Sequence, residues 1–568
     1  MATHDYVIDN STGANVRTDL NNVLQAILTN NSSGSSPSTT AAYMLWADTG
    51  NNLLKIRNSA NDAWITLRGL DGSLTFAADA SINSVAVGKG ANSVAGNTVV
   101  GESALDGSVS GGENTAIGFQ ALTRNTSGTA NTAIGRNSLQ FVTTASNNTA
   151  LGRGSLDNNT ASNNTGIGKD ALQANTTGAN NVAVGALALD ANTTGQNNVA
   201  LGKDALGANT TANNNTAIGH ATLFDNTTGA HNTALGTDAL ANNTTASNNT
   251  ALGRSALVAN TTGADNNAVG KDALANNTTA TRNNVFGTSA MQTNTIGAYN
   301  CAFGYAALFA NTDASYNSAF GHLALSANTT GTNNVGVGAF TLDANTTADS
   351  NTAVGYASMT ANTTGSHNTS VGKSSMSANT TGIENIAVGS NALAASTTGD
   401  YNVALGQKSL LANTTANNNT AVGYNSMAAN TTGTSNVAVG KSCLDANTTG
   451  DQNTSVGTGA LGGNTTADNN TAVGFVALLA NTTGAQNVAV GANALDANTT
   501  ASNSTAVGYL ALTANTTGQE NTAVGQAALL NNTTGGSNCA FGKNSLVNNT
   551  TASNNTAYGH SALLANTT

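Results

Sequence analysis

The sequence predicts an all-β protein: a long parallel β-solenoid of about 27 turns with a 17-residue period, preceded by a small α+β module. The first observation is a glycine that recurs from Gly118 to Gly559, in 25 intervals of 17 residues and one of 16. The second is that Leu or Met stands four residues after each of these 27 glycines, and Thr eight residues after it. A short fixed period is typical of solenoids, whereas a helical pair needs about 30 residues or more per repeat.

The composition excludes several other classes of protein. Charged residues make up only 8% of the 568 residues, which is far below the usual share in globular enzymes. The formal net charge of −11 disfavours a nucleic-acid partner, because binding to phosphate requires cationic side chains. The sequence has no cationic signal-peptide start and no apolar run near 18 residues, so we expect no membrane insertion.

Each 17-residue unit is predicted to be one turn of the solenoid. A turn begins with a short strand such as 181–185, continues through a second segment around Leu189, and closes at a polar Asn-Thr-Thr corner. Stacked turns lie ~4.8 Å apart, so one position of successive turns forms a ladder of touching side chains. Asn suits the corner because its amide bridges to the backbone and to the next Asn. We therefore predict structural ladders through Gly185, Leu189, Asn192 and Thr193 of one turn, Gly202, Leu206 and Asn209 of the next, and Leu274 further along.

The strand of each turn carries small residues on one face and β-branched residues on the other. Ala183, for example, stands between Val182 and Val184, and alternate side chains of a strand point to opposite sides. A single chain that buries one of these faces and the Leu row has a thin core. We interpret the Ala183-type face as the side on which a neighbouring chain approaches closely, and we expect a homotrimer.

The sequence divides into three parts. Residues 1–80 form a predicted attachment module, residues 81–117 an irregular lead-in, and residues 118–568 the repeat shaft. The first part holds both tryptophans, Trp46 and Trp64, and the only proline. Apolar spacing and turn residues there predict one amphipathic helix and three short strands, at 16–29, 44–46, 53–57 and 63–67.

Two family resemblances follow from these residues. The stretches D-Y-V-I-D-N (Asp5 to Asn10), R-T-D-L-N (Arg17 to Asn21) and Y-M-L-W-A-D-T-G-N-N-L-L-K-I-R-N-S-A-N-D-A-W-I (Tyr43 to Ile65) resemble the head-proximal module of tail fibres of marine and cyanobacterial tailed phages. This resemblance covers about the first 70 residues. It implies attachment to other virion proteins through the N-terminal module.

The repeats N-S-V-A-V-G-K-G-A (Asn83 to Ala91) and N-T-A-V-G-x-x-A-L resemble the head of trimeric autotransporter adhesins of the YadA type. This second resemblance covers residues 83 to 568 and implies a left-handed parallel β-roll wound as a homotrimer. The unit of that family is nearer 14 residues, and we expect the additional residues to enlarge the Asn-Thr-Thr corner.

No constellation of residues supports catalysis, a cofactor or a metal site. The six histidines are scattered, and three of them follow a repeat glycine at a position that also takes Lys, Arg, Tyr and Phe. The G-K-S triplets at 372–374 and 440–442 lack the glycine that a phosphate loop has five residues earlier. We predict that the three cysteines are small core fillers in distant turns and form no disulfide set: Cys301, Cys443 and Cys539.

With no catalytic constellation in the sequence, the resemblance to phage tail fibres implies a non-enzymatic structural fibre of a virion. Such a fibre is extracellular once assembled, attaches through its N-terminal module and presents a distal tip for host recognition. Because the sequence stops within a turn at Thr568, we expect either a longer chain or a capping partner. One alternative is an adhesin that binds host surface glycans along the shaft. A further alternative is an ice-binding solenoid, with Thr193, Thr210 and Thr227 in one row.

Overall fold

The computed structural model describes residues 13–28, 32–38, 40–71 and 79–567. The protein is nearly all β, with a β-solenoid of about 27 turns and a 17-residue period and a small α+β region near the N-terminus. The predicted fold class is therefore confirmed. The chain forms two compact units, Met1–Asp170 and Ala171–Thr568. The motif at 5–10 lies outside the described residues.

The first unit contains one α-helix, α1, which spans Gly13–Leu28. The helix begins three residues earlier than predicted, and the predicted last residue, Thr29, lies outside the described residues. None of the side chains from 13 to 25 is buried, and Leu20 and Leu24 are 45% and 49% exposed. An isolated helix of this length is only marginally stable in water. In the single chain, the side chains from 13 to 25 therefore contribute little packing stability to α1.

A three-stranded antiparallel sheet follows the helix. Its strands are β1 (Leu45–Asp48), β2 (Leu53–Arg57) and β3 (Trp64–Gly69), paired in that order. The three predicted strands are present: β2 has the predicted bounds, and the ends of β1 and β3 are displaced by one or two residues. Tight polar turns between alternating apolar residues are sufficient to specify such a meander.

The lead-in to the solenoid differs from the shaft in strand direction. Strands β4 (Ala80–Ile82), β5 (Val85–Gly88) and β6 (Thr98–Gly101) pair antiparallel, and a 3-10 turn at Ala91–Ser93 separates β5 from β6. Pairing becomes parallel from β6 onward. The remaining strands of this unit, β7 to β10, are Thr115–Ile117, Thr132–Ile134, Thr149–Leu151 and Thr165–Ile167.

The second unit is a stack of solenoid turns, each with one three-residue strand. Every strand pairs parallel with the strand of the next turn, and equivalent repeat positions are partners, as in Ala200 opposite Ala217. Its strands, β11 to β33, are Val182–Val184, Val199–Leu201, Thr216–Ile218, Thr233–Leu235, Thr250–Leu252, Asn267–Val269, Asn284–Phe286, Cys301–Phe303, Ser318–Phe320, Val335–Val337, Thr352–Val354, Thr369–Val371, Ile386–Val388, Val403–Leu405, Thr420–Val422, Val437–Val439, Thr454–Val456, Thr471–Val473, Val488–Val490, Thr505–Val507, Thr522–Val524, Cys539–Phe541 and Thr556–Tyr558.

The strand faces are the reverse of our interpretation. The inner Ala row, two residues before each repeat glycine, is buried within its own chain, and Ala183 and Ala200 are 0% exposed. The neighbouring residues of the strand point outward, and Leu201 is 42% exposed. The core of a turn is only wide enough for small side chains opposite Leu, so the larger β-branched side chains lie outside. The Ala183-type face is therefore not the surface on which another chain approaches.

The repeat glycines satisfy two backbone requirements at once. Gly185 has φ +138°, a conformation that L side chains rarely adopt. A Cβ added to Gly185 would also overlap with the carbonyl group of Gly202 in the next turn. The position therefore admits glycine alone, which accounts for the strict period of the sequence.

The Leu row, four residues after each repeat glycine, forms the centre of the core. Leu189 and Leu206 are 0% exposed, and their φ angles of +52° and +53° lie in the left-handed region. This conformation costs about 1–3 kcal/mol for a residue other than glycine. Burying a Leu side chain contributes about 1.5–3 kcal/mol, and the Leu189 N–H also donates to the Ala205 carbonyl at 3.0 Å. Burial and hydrogen bonding together offset this backbone strain. The second segment that the sequence predicts around Leu189 is thus present as a turn and not as a strand.

Candidate functional site

The corner Asn row, seven residues after the repeat glycine, is a buried ladder of side-chain amides. Asn192 and Asn209 are both 0% exposed. Asn209 Nδ2 donates to Asn192 Oδ1 at 2.8 Å and to the Ala212 carbonyl oxygen at 3.3 Å. A buried amide without such partners would be costly, so the ladder couples each turn to its neighbours in one register.

A second amide ladder runs through the strand Asn row, four residues before the repeat glycine. The Asn198 N–H donates to Asn181 Oδ1 at 2.9 Å, and Asn198 Nδ2 donates to the Ala212 carbonyl oxygen at 2.8 Å. The two Asn ladders therefore meet at the same carbonyl group. Most of the amides in these two ladders are satisfied by adjacent turns, which explains how a chain with few charges and a thin apolar core forms an ordered stack.

The Thr row, eight residues after the repeat glycine, directs its hydroxyl groups back into the chain. Thr193 Oγ1 donates to the Thr210 carbonyl oxygen at 3.0 Å, and Thr210 Oγ1 donates to that of Thr227 at 3.2 Å. A surface that organises water needs hydroxyl groups that are free to meet it. The geometry of this row therefore gives the ice-binding hypothesis no support.

The outer apolar row is the most continuous surface feature of the second unit. It consists of the residue before each repeat glycine, and in this unit every member is Val, Leu, Ile, Phe or Tyr. None of these side chains is buried. The most exposed members include Leu201 at 42%, Leu235 at 44% and Val388 at 39%. Since contiguous exposed apolar surface usually marks a contact region, this row is a candidate interaction surface.

The two tryptophans pack against each other in the three-stranded sheet, where Trp46 is buried and Trp64 half-buried. Trp46 is 5% exposed, and its ring centroid lies 5.1 Å from that of Trp64. The Lys55 ammonium lies 4.8 Å from the centre of the Trp46 ring and 2.7 Å from Asp48 Oδ2. Burial opposes ionisation of Asp48, but hydrogen bonds from Lys55 and Asn51 outweigh it and lower the pKa of this carboxyl. The buried Trp46 thus stabilises the sheet from within.

The opposite face of this sheet is apolar and open. Leu45, Ile56 and Ile65 are partners across the three strands. Leu45 is 40% exposed and Ile65 50% exposed. On this sheet, Leu45 and Ile65 are therefore more accessible to another molecule than the buried Trp46.

The described residues contain no group of three or more His, Cys, Asp or Glu side chains that could hold a metal ion. In the part of the chain that the structure describes, no helix is long and apolar enough to cross a membrane. Cys443 is buried, as predicted for a core filler, but Cys301 and Cys539 lie on the outward face of their strands and are half-buried. The prediction for those two cysteines was wrong because it assigned the outward strand face to the core.

One carboxyl group has a strongly altered environment. Burial, and to a lesser degree the charge of Asp170, raises the pKa of Asp157 to about 6. Asp157 Oδ1 has no hydrogen-bond donor, and neither does Asn137 Oδ1. One turn earlier, Gln120 holds the repeat position of Asn137 and Gln140 that of Asp157. There the two side chains are joined, because Gln140 Nε2 donates to Gln120 Oε1 at 3.1 Å.

The sequence reasoning missed a cluster of aromatic side chains in the second unit. Successive rings contact one another across four turns: Tyr305 and His322 at 5.4 Å, His322 and Phe340 at 5.2 Å, and Phe340 and Tyr356 at 5.9 Å. The available signal was the local density of aromatic residues, since nine of the 23 in the chain lie between 286 and 356.

Comparison of the chain with protein-family models, with curated proteins and with solved structures finds no match.

Proposed function

We propose that this protein is a structural fibre, the shaft or spacer of a tailed-phage tail fibre, which is extracellular in the assembled virion and holds a host-binding tip away from the particle. The observation that carries the proposal is the pair of Asn ladders. From Asn175 to Asn379 the corner ladder ties each turn to its neighbours without a break, as Asn209 does with Asn192. A stack of this kind extends by adding identical turns and keeps its register without a large core.

Removal of one whole turn tests the spacer function. Deleting 253–269 joins equivalent repeat positions, so the flanking turns regain their ladders. A spacer shortened by one turn keeps adsorption to the host nearly unchanged. Loss of all adsorption by particles that still carry the fibre would favour the alternative, an adhesin that contacts host glycans along the shaft.

The proposed assembly is a homotrimer in which the outer apolar row of each chain is covered by the other two. The support is the exposure of this row, which includes Leu405 at 36% and Val439 at 37%. Such surface in a single chain favours association, because covering it removes apolar area from water.

Light scattering of the full-length protein tests the trimer. We expect three times the 56.0 kDa of one chain. Leu405→Lys combined with Val439→Lys places charges on the row and lowers the measured mass. Thr432→Lys, at an exposed position away from the row, leaves it unchanged. A mass of 56.0 kDa for the unaltered protein would remove the trimer from the proposal.

The N-terminal module is proposed to bind other virion proteins through the open face of its sheet. Ile65, which is 50% exposed, lies at the centre of this argument. Ile65→Asp should abolish incorporation of the fibre into particles, whereas Ala60→Asp, in an exposed turn, should not. Normal incorporation of both variants would show that the module attaches by another surface.

A further inference from the structure

The aromatic cluster departs from an otherwise regular repeat. Its nine aromatic residues occupy about an eighth of the chain. Phe286, Phe303 and Phe320 belong to the outer apolar row, and the other six stand at four other repeat positions. None of them is buried, and Tyr305, Tyr316 and Tyr356 are 55%, 58% and 54% exposed. Exposed aromatic rings add nothing to the core of a turn, so their concentration points to contact with a ligand.

A groove of about 310 Å³ opens beside Tyr305. Its volume falls at the lower end of the range for small-molecule sites. It is lined by side chains from two adjacent turns, namely Tyr305, Ala306, Phe309, Leu323, Ser326 and Ala327.

Two of the side chains that line the groove are short. Ala306 and Ser326 hold the repeat positions that Gln120 and Gln140 hold in the first unit, where the two amides meet at 3.1 Å and fill the space. With Ala and Ser at these positions, the space between the aromatic walls stays open.

The chemistry of the lining selects the ligand. None of the six lining residues is charged, so an ionic ligand would lose hydration without gaining a counter-charge. Tyr305 and Phe309 offer apolar ring surface and are 55% and 38% exposed. The Tyr305 phenol and the Ser326 hydroxyl, which itself donates to the Asp343 carbonyl at 3.3 Å, supply polar atoms at the edge. The matching ligand is flat, neutral, apolar on one face and rich in hydroxyl groups at its rim.

We propose that this groove binds a neutral pyranose ring of a glycan, with the C–H face of the sugar on Tyr305 and its hydroxyl groups toward Ser326 and solvent. His322 stacks on one side of the Tyr305 ring at 5.4 Å, so the sugar would use the other side. Tyr356, which is 54% exposed, offers further ring surface for a neighbouring sugar. The proposal adds one local sugar site to the shaft and is compatible with the spacer function, because the deletion of 253–269 leaves the groove residues in place. It requires the described fold but not attachment to a virion, so the two proposals can fail separately.

Saturation-transfer NMR of the full-length protein tests the site. The probes are the methyl pyranosides of glucose, galactose, mannose and N-acetylglucosamine, together with trisaccharides of each. We expect at least one probe to receive saturation at its ring C–H protons, and a trisaccharide to bind more tightly than the matching monosaccharide. If no probe binds at concentrations up to about 10 mM, or if only an apolar aromatic probe such as indole binds, the proposal is wrong.

Matched variants localise the site. Tyr305→Ala should weaken binding about tenfold or more, whereas Tyr509→Ala should not. Tyr509 follows its repeat glycine as Tyr305 does, and it is 52% exposed. Equal effects of these two changes would overturn the assignment.

A second variant leaves the aromatic rings in place. Ala306→Gln with Ser326→Gln rebuilds the filled pair seen at Gln120 and Gln140, so it should close the groove and abolish binding. Ala306 and Gln120 share a positive φ, at +51° and +57°, so the change is compatible with the backbone. Unchanged sugar binding by this double variant would also overturn the proposal.

Discussion

Ser396 interrupts the corner Asn row and leaves Asn379 Oδ1, one turn earlier, without a hydrogen-bond donor. From Asn175 to Asn379 the ladder is continuous, and Asn379 Nδ2 itself donates to Asn362 Oδ1 at 2.8 Å. The Ser396 hydroxyl is buried and also lacks a partner. Its short side chain cannot span the distance that an amide spans, so one step of the ladder has neither donor nor acceptor in use.

Ser396→Asn should therefore stabilise the shaft locally. The new amide restores the missing donor to Asn379 Oδ1, for an expected gain of about 1 kcal/mol. Native-state hydrogen exchange of the amides in 389–406 should slow about fivefold. Local exchange is the suitable measurement because unfolding of a repeat array is not two-state.

Ser504→Asn is the matched control in the other amide ladder. There the serine already acts in place of the amide, because Ser504 Oγ accepts from the Asn521 N–H at 3.3 Å. The gain should be clearly smaller than at Ser396. Equal gains at both positions would show that the unpartnered atoms of Ser396 and Asn379 cost little.

The backbone of a single turn supplies a second prediction. Gly457→Ala should destabilise the stack strongly, by about 3 kcal/mol or more, since Gly457 has φ +132° and its new Cβ would overlap with the Gly474 carbonyl group. Gly459→Asn, two residues away, should be tolerated. Gly459 has φ +66°, and Asn425 and Asn493 occupy the same repeat position at φ +54° and +55°.

Thermal unfolding of the two glycine variants checks this prediction. A large loss of thermal stability in both variants would mean that the space around residue 459, rather than its backbone conformation, limits which side chain it can hold. No loss in Gly457→Ala would contradict our account of the 17-residue glycine period.

The inside and outside of a turn can be tested with two charge substitutions. Leu274 is 0% exposed, so Leu274→Asp buries an unpaired carboxylate and should cost about 4 kcal/mol. The side chain of Lys271 is 56% exposed, and its Nζ lies 3.5 Å from Asp272 Oδ2. Lys271→Asp removes this surface pair at a cost of about 1 kcal/mol or less. Similar unfolding temperatures for the two variants would show that Leu274 does not face the core.

The sequence was sufficient for the fold because the strongest constraints on a turn are local. The repeat glycine is required by the backbone conformation, Leu189 fills the core, and Asn192 bonds to the amide of the adjacent turn. Each of these positions therefore restricts the type of side chain. Periodicity alone then specifies the stack.

The orientation of the strand could not be predicted by the same reasoning. Alternation shows that Ala183 and Val184 point to opposite sides, but not which side is the core. Hydrophobicity favours burial of Val, whereas the structure buries Ala, because Leu189 and the two Asn ladders already fill the narrow interior. The outward, half-buried positions of Cys301 and Cys539 follow from the same reversal.

The groove beside Tyr305 could not be predicted either, because it depends on pairs of residues in adjacent turns. Ala306 and Ser326 are 20 residues apart in the sequence, and each is an unremarkable small residue at a variable position. Their shared effect emerges only when the register of the turns brings the two positions together, as it does for Gln120 and Gln140.

Asp157 provides a prediction about pH. Burial and the charge of Asp170 raise its pKa in the folded protein from 3.8 to about 6. The folded state therefore holds the proton more tightly than the unfolded chain does. Protonated Asp157 contributes stability below the unfolded pKa, and this contribution is lost as the pH rises through about 6.

Asp157→Asn should remove this pH dependence. The neutral amide avoids the burial of a charge and can donate to Asn137 Oδ1, the atom that has no donor. At pH 7 the variant should be more stable by about 1 kcal/mol, after allowance for solvent screening of this partly exposed group. At a pH near 4, where the wild-type carboxyl is largely protonated, the two proteins should be nearly equal in stability.

Thermal unfolding at both pH values measures this difference in stability, and an NMR titration of the Asp157 carboxyl gives its pKa directly. If wild type and variant keep the same difference in stability at both pH values, or if the carboxyl titrates near 3.8, then Asp157 is not the buried acid that its surroundings indicate.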